Sequence, residues 1–285
     1  MVSQSKTQRP IIIAFTLQKG GMGKTSCVIN LAAALSTQKR SKYSKYKNKI
    51  LVIDMDVHAT SSRYLDAYDE KTSGIYDALT EKCEFDEIIC ERKFNFGRYG
   101  VCQIDIAPTD IYAARIETKW QSYDNPEFLL KRAIDKSNKI KEYDYVFIDC
   151  PPESNCLLSN IYNACDYFIL PIMADSQSYV NISITYKQLS TLSSDLRTKY
   201  VLGTIINNYE ITDLSTAYKA EVMNNDRLKC FKTVIPHCKR YDQTLYYKTP
   251  VVFYHRNIHE IPPIFSAFRD LANEFTERVK ALESQ

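Results

Sequence analysis

Two lysines, three glycines and a threonine fall within seven residues of this chain, Lys19-Gly20-Gly21-Met22-Gly23-Lys24-Thr25. An apolar run, Ile11 to Leu17, leads into them, and a helical pattern from Ser26 to Ser36 follows at once. Strand, glycine-rich turn, Lys-Thr and helix in that order build a cradle for nucleotide phosphates. The glycines let the backbone approach the phosphate oxygens and aim its N–H groups at them, and the helix N-terminus adds the positive end of its dipole. In that arrangement Lys24 reaches the β- and γ-phosphates and the Thr25 hydroxyl ligates Mg2+.

Two further apolar runs end in aspartate. One is Ile50-Leu51-Val52-Ile53-Asp54, with Asp56 two residues on; the other is Tyr145-Val146-Phe147-Ile148-Asp149, followed by Cys150-Pro151-Pro152. A carboxylate at the end of a buried strand is costly unless something positive meets it. Mg2+ beside the phosphates is the natural partner, and such sites use few carboxylates plus water. Open parallel sheets bind ligands at the carboxyl ends of their strands, where these aspartates and the glycine-rich turn would meet.

Strands are expected at Pro10–Leu17, Lys49–Asp54, Gln103–Ala107, Tyr143–Asp149, Tyr167–Ile172, Tyr200–Asn207 and Phe231–Ile235. Helices are expected at Lys24–Gln38, Ile75–Leu79, Phe128–Ile140, Leu157–Ala164, Ile182–Leu196 and Ile264–Leu282. Continuous apolar strands alternating with helical stretches imply an α/β fold, a mostly parallel twisted sheet with helices on both faces. Without a Pro-, Gly- or Ser-rich linker or an internal repeat, the expected organisation is a polar, disordered tail over 1–9 and one domain over 10–285.

The common phosphate loop carries glycine where this chain has Gln18, and it lacks the second lysine, Lys19. Lys-Gly-Gly-Met-Gly-Lys-Thr resembles instead the deviant Walker A motif of the ParA/MinD superfamily of ATPases. The resemblance implies a P-loop ATPase that takes ATP and Mg2+, with Lys19 crossing a dimer interface to the partner's ATP. Asp149 then corresponds to the Walker B aspartate, and Asp54-Met55-Asp56 to the family's Asp-x-Asp motif. Asp56 would orient or deprotonate the attacking water, with Asp54 supporting the metal shell. Where the family continues Pro-Gln, this chain has Val57-His58.

Fainter likeness extends over roughly 10–280. Leu170-Pro171-Ile172 matches a proline-bearing strand end, and Tyr247-Lys248-Thr249-Pro250-Val251 a closing element. Asn207 would read the adenine edge, and Pro236 precedes a segment packed over the base. The implied sites are therefore Lys19, Lys24 and Asp56 for catalysis and Thr25, Asp54, Asp56 and Asp149 for the metal. ATP would meet Lys19, Gly20, Gly21, Met22, Gly23, Lys24, Thr25, Ser26, Asn207 and Pro236.

The ParA family implies an ATP-bound homodimer that binds DNA nonspecifically, with hydrolysis stimulated by a centromere-binding, ParB-like adaptor. Such a protein is cytoplasmic and associated with the nucleoid. Candidate DNA contacts are Lys239, Arg240 and Lys248, with the basic insertion 39–48, where lysines alternate with tyrosines. A family arginine after the Asn207 strand has no basic counterpart in Glu210-Ile211-Thr212-Asp213. The alternative is a MinD-like positioning ATPase acting on membrane or protein cargo.

Composition sets the bounds. A net charge of +3 over 285 residues is too small to argue for nucleic acid by itself, so a DNA contact needs a local basic patch. Nine cysteines without C-x-x-C spacing read as reduced cytosolic thiols, Cys150 among them as a small core residue. The apolar stripe of 264–282 has core-packing periodicity and carries Asp270, Glu274 and Glu277, which is unlike a membrane-surface helix; no membrane partner is expected.

Overall fold

In the computed structural model, strand β1 (Ile11–Phe15) runs at the centre of a seven-stranded sheet of order β3-β4-β2-β5-β1-β6-β7. The structure describes residues 9–40, 47–96, 100–110, 112, 122–152, 156–192, 201–239, 241–254 and 263–283. The other strands are β2 (Ile50–Asp54), β3 (Cys90–Asn95), β4 (Val101–Ala107), β5 (Tyr145–Asp149), β6 (Tyr167–Ile172) and β7 (Val201–Ile206). All neighbours pair in parallel except β3 with β4.

Alternate residues of the central strands feed two cores, as the two-residue repeat of a strand requires. Ile13, Phe15, Val52 and Phe147 join one cluster with helix α1 (Lys24–Ser36) and a long C-terminal helix. Ile12, Ala14, Leu51, Ile53, Val146 and Ile148 join the other, with the helices that precede and follow β5. Helix α1 lies between sheet and C-terminal helix and is buried from Cys27 to Ser36, so it shows little amphipathic contrast.

The short helices α2 (Thr60–Tyr64) and α3 (Ile75–Leu79) follow β2, then α4 (Leu129–Lys136) and α5 (Cys156–Ala164) flank β5. Helices α6 (Ser176–Leu192), α7 (Asp213–Met223), α8 (Tyr241–Tyr246) and α9 (Pro263–Glu283) complete the described set. The stripe of α9 (Phe265, Phe268, Leu271, Ala272, Phe275 and Val279) is buried against the first core, as its periodicity predicts.

Two expectations need correction. Strand β3 was not anticipated: its alternation of half-buried Cys90, Arg92 and Phe94 with exposed Glu91, Lys93 and Asn95 is the pattern of a one-sided edge strand. Conversely, Phe231–Ile235 is no strand. Phe231 N donates to Thr204 O at 2.8 Å and Ile235 N to Ile206 O at 2.9 Å, but between them Glu274 of α9 takes the N–H groups of Lys232 (2.9 Å) and Thr233 (3.1 Å). Arg278, one turn on, stacks 3.9 Å from the Phe231 ring and donates to the carbonyls of Leu202 (3.1 Å) and Cys230 (2.6 Å). An ion pair on α9 thus takes over the hydrogen bonding that a ladder would have supplied.

Elsewhere the sequence boundaries shift modestly. The helix expected at Phe128–Ile140 ends at Lys136 and gives way to a 3-10 turn, Lys139–Glu142. The helix expected from Ile182 begins at Ser176, and Asp175 accepts from Ser178 N at 2.6 Å at that start. Of the basic insertion, Lys39 and Lys47 form an antiparallel bridge at its neck, and 41–46 lie outside the described residues, as does 1–8 of the tail.

Candidate functional site

The chain leaves β1 for α1 and β2 on one side and later returns through β5 and β6, which flank β1. The crevice at such a switch point lies outside the carboxyl strand ends. Register places Phe15 of β1 and Asp54 of β2 both opposite Asp149 of β5, so phosphate loop and carboxylates converge at one edge.

The loop is held in an open curve. Gly21 and Gly23 have φ of 76° and 79°, the left-handed region that favours glycine. A Cβ at Gly23 would also run into the Asn207 side-chain amide. Met22 is buried and joins Leu17, Ile172, Ile182 and Ile206 in a third small core, and its sulfur accepts from Ser178 Oγ at 3.4 Å. The loop's apolar residue therefore pins it to the sheet while Gly20 and Gly21 stay exposed.

Lys24 is buried, and its Nζ donates to the carbonyls of Leu17 (3.2 Å) and Lys19 (3.0 Å), curled back over the loop. Burial lowers its pKa, opposed by the neighbouring Asp149, Cys150 and Asp56. Lys19 lies 3.8 Å from Asp175 at the start of α6. Ser26 sits half-buried in the first turn of α1.

Asp149 Oδ2 accepts from Thr25 Oγ1 and from Ser61 Oγ, each at 2.7 Å. Its other oxygen, Oδ1, is buried without a hydrogen-bond partner among the described residues. Burial raises the Asp149 pKa against those two hydrogen bonds, and burial followed by the Asp149 charge raises that of Asp54. A buried, underpaired carboxylate beside a hydroxyl calls for a cation. Thr25 and Asp149 offer the hard oxygen donors that fit Mg2+, which keeps much of its water shell.

Both carboxylate oxygens of Asp54, the residue the resemblance puts in support of the metal shell, accept hydrogen bonds from the protein. Its Oδ2 accepts from Ser62 N (2.8 Å) and Oγ (2.6 Å), and its Oδ1 from Asp56 N at 3.1 Å, so it braces the loop that carries Asp56. Ser61 and Ser62, at the start of α2, escaped sequence reasoning; their signal is the Ala59-Thr60-Ser61-Ser62 run that follows Val57-His58. Asp56 is mostly buried and accepts at Oδ1 from His58 N (3.0 Å) and His58 Nδ1 (2.8 Å).

Asn207 lies at the loop's rim, where its Nδ2 donates to Met22 O at 3.2 Å. Pro236 pairs with Tyr209 in a parallel bridge just beyond β7, so both candidate base contacts lie past the carboxyl end of that strand. The candidate DNA contacts are not brought together so cleanly. Lys248 is ion-paired to Asp66, which Arg92 also holds at 3.0 Å; hydrogen bonding from Lys248 keeps the Asp66 carboxyl below its usual range. Lys239 is exposed, and Arg240 lies outside the described residues. At the flanks of the insertion, Arg40 pairs with Asp144 (2.8 Å) and Lys49 with Glu142 (2.6 Å). Cys150 is fully buried beneath the site, as a core residue.

Comparison with known proteins agrees with this geometry. Residues 11–202 match a family model described as an AAA domain. The chain is 30% identical to the sporulation initiation inhibitor protein Soj of Bacillus subtilis, over 85% of its length and 90% of that protein's. It is 27% identical to the chromosome partitioning protein ParA of Myxococcus xanthus, over 85% and 81% of the two chains. A plasmid partition protein of Borrelia burgdorferi bound to AMPPNP shares the fold at TM-score 0.74 and 20% identity, covering 95% of this chain and 100% of that one. Cobyrinic acid a,c-diamide synthase of Mycobacterium smegmatis with ADP and magnesium does so at 0.72 and 21%, covering 95% and 96%. Two-lysine loop, aspartate pair and these likenesses together assign the chain to the ParA family of the ParA/MinD superfamily of deviant Walker A P-loop ATPases.

Proposed function

We propose that this chain, working as one domain over 10–285, is a Mg2+-dependent ATPase that partitions plasmid or chromosomal DNA in the cytoplasm. The observation that carries the reading is the two-lysine loop standing over Thr25 and Asp149, whose Oδ1 is buried and unpartnered. ATP would lie on Gly20 to Ser26, with Lys24 swinging from the Leu17 and Lys19 carbonyls to the β- and γ-phosphates. Mg2+ held there would supply charge neutralisation at the phosphates. Thr25 would ligate it and Asp149 would hold one of its waters, while Asp56 takes the proton of the attacking water. Asn207 and Pro236 would border the base.

Lys19 leaves Asp175 to reach the ATP of a second copy, so that nucleotide locks the dimer. That dimer binds DNA nonspecifically through Lys239, Arg240 and the 39–48 insertion, and a centromere-bound, ParB-like adaptor stimulates hydrolysis and release. Lys248 could join only by giving up Asp66.

Size measurement by light scattering tests the dimer. Wild type should be a monomer with ADP and a dimer with a non-hydrolysable ATP analogue. Lys19→Ala should bind ATP with unchanged affinity yet stay monomeric and lose hydrolysis by about tenfold or more. A Lys19→Ala protein that dimerises and turns over normally contradicts the cross-interface role.

Positioning of protein cargo is the second reading, favoured by the pairing of Lys248, Arg40 and Lys49 with carboxylates. McdA of Cyanothece, solved with ATP, shares the fold at TM-score 0.73 and 18% identity. A membrane version has less support: α9 buries its apolar stripe, and among the described residues no helix is long and apolar enough to cross a membrane.

A further inference from the structure

We propose that His58 is a positioning residue for Asp56. This rests on the role given to Asp56 above. After its two aspartates the chain has Val57-His58 in place of the family's Pro-Gln, and the structure shows what the histidine contacts. Its backbone N–H and its ring Nδ1 both point at Asp56 Oδ1, at 3.0 and 2.8 Å. A carboxylate can only accept, so Nδ1 carries the proton.

Two donors from one residue on one oxygen set the rotation of the carboxylate. Oδ1 is turned toward His58, and Oδ2 is the oxygen left to meet a water. The backbone on either side is fixed as well, since Asp56 N donates to Asp54 Oδ1 at 3.1 Å and Asp56 O accepts from Ala59 N at 2.9 Å. The imidazole is 72% exposed, whereas the Asp56 side chain is 13% exposed. The ring thus grips the carboxylate from the solvent side, while the Asp56 charge acts inward on Lys24 and Asp149. At 72% exposure the ring is no part of the apolar core.

The test is single-turnover hydrolysis of ATP, with ATP affinity measured alongside, for the full chain and for His58→Ala, His58→Asn and Asp56→Asn. His58→Ala should lower the rate about fivefold to tenfold, the value of one hydrogen bond to a charged group at a partly exposed site, with KM and ATP affinity unchanged. His58→Asn should restore most of the rate, because its amide N–H stands where Nδ1 stood. His58→Ala at the wild-type rate, or His58→Asn as slow as alanine, overturns the positioning role while Asp56 stands. Asp56→Asn at the wild-type rate overturns the Asp56 role itself. Exposure of the ring makes a folding defect separable, since thermal melts of both His58 variants should match wild type.

Discussion

Lys24→Ala is expected to weaken ATP binding by about 100-fold or more, roughly 2.7 kcal/mol. The reason is electrostatic: a buried ammonium at the mouth of a helix N-terminus is the point charge that meets the β- and γ-phosphates, and charge-assisted bonds of this kind are the strong ones. In the structure its Nζ satisfies the Leu17 and Lys19 carbonyls, so alanine also loosens the loop. Lys24→Gln keeps the stem and a donor but not the charge; an equal loss there separates charge from packing. Titration calorimetry with a non-hydrolysable ATP analogue reads the effect, and wild-type affinity in either variant contradicts the phosphate role.

Asp56→Ala is expected to lower hydrolysis by about 100-fold while leaving ATP affinity within a few-fold, because general-base assistance contributes at this level. Asp56 shares no hydrogen bond with the Thr25–Asp149 pair, so its removal leaves that pair intact. The variant should therefore accumulate as an ATP-bound dimer, visible by light scattering and by slow phosphate release. Normal turnover would move the water-activating role to another residue.

Much of this site could be read from residue types in order. The apolar runs ending in Asp54 and Asp149 are buried on both faces, and a strand covered on both sides shows itself as an unbroken hydrophobic stretch. Strand β6 was expected at the residues where it is found, and α3 likewise. What escaped notice was amphipathic or used polar side chains for structure. β3 alternates charged and apolar residues at a sheet edge, and its partner β4 was read without it. The Phe231–Ile235 segment has strand composition, yet Glu274, more than forty residues later, takes the N–H groups of Lys232 and Thr233. Helix α7 begins with a Thr212–Ser215 capping box, a short-range signal that its weak apolar periodicity hides.

The same limit applies to function. Lys19, Lys24, Thr25 and Asp149 stand out by spacing in the sequence, and the structure brings Thr25 to Asp149. The hydrogen bonds of Asp54 to Ser62, eight residues on, depend on the turn into α2 and could not be read from spacing alone. Lys248 is a candidate DNA contact by resemblance, and its ion pair with Asp66, far away in the sequence, shows only in the structure.

The most direct test of the partition reading is DNA binding by the purified chain with ATP, with ADP and without nucleotide, at about 50 mM and about 200 mM salt. Binding should appear with ATP alone, be indifferent to sequence, and weaken by about 100-fold across that salt range if about four phosphates are contacted. Absence of DNA binding by a chain that still dimerises with ATP would contradict it and direct attention to protein cargo.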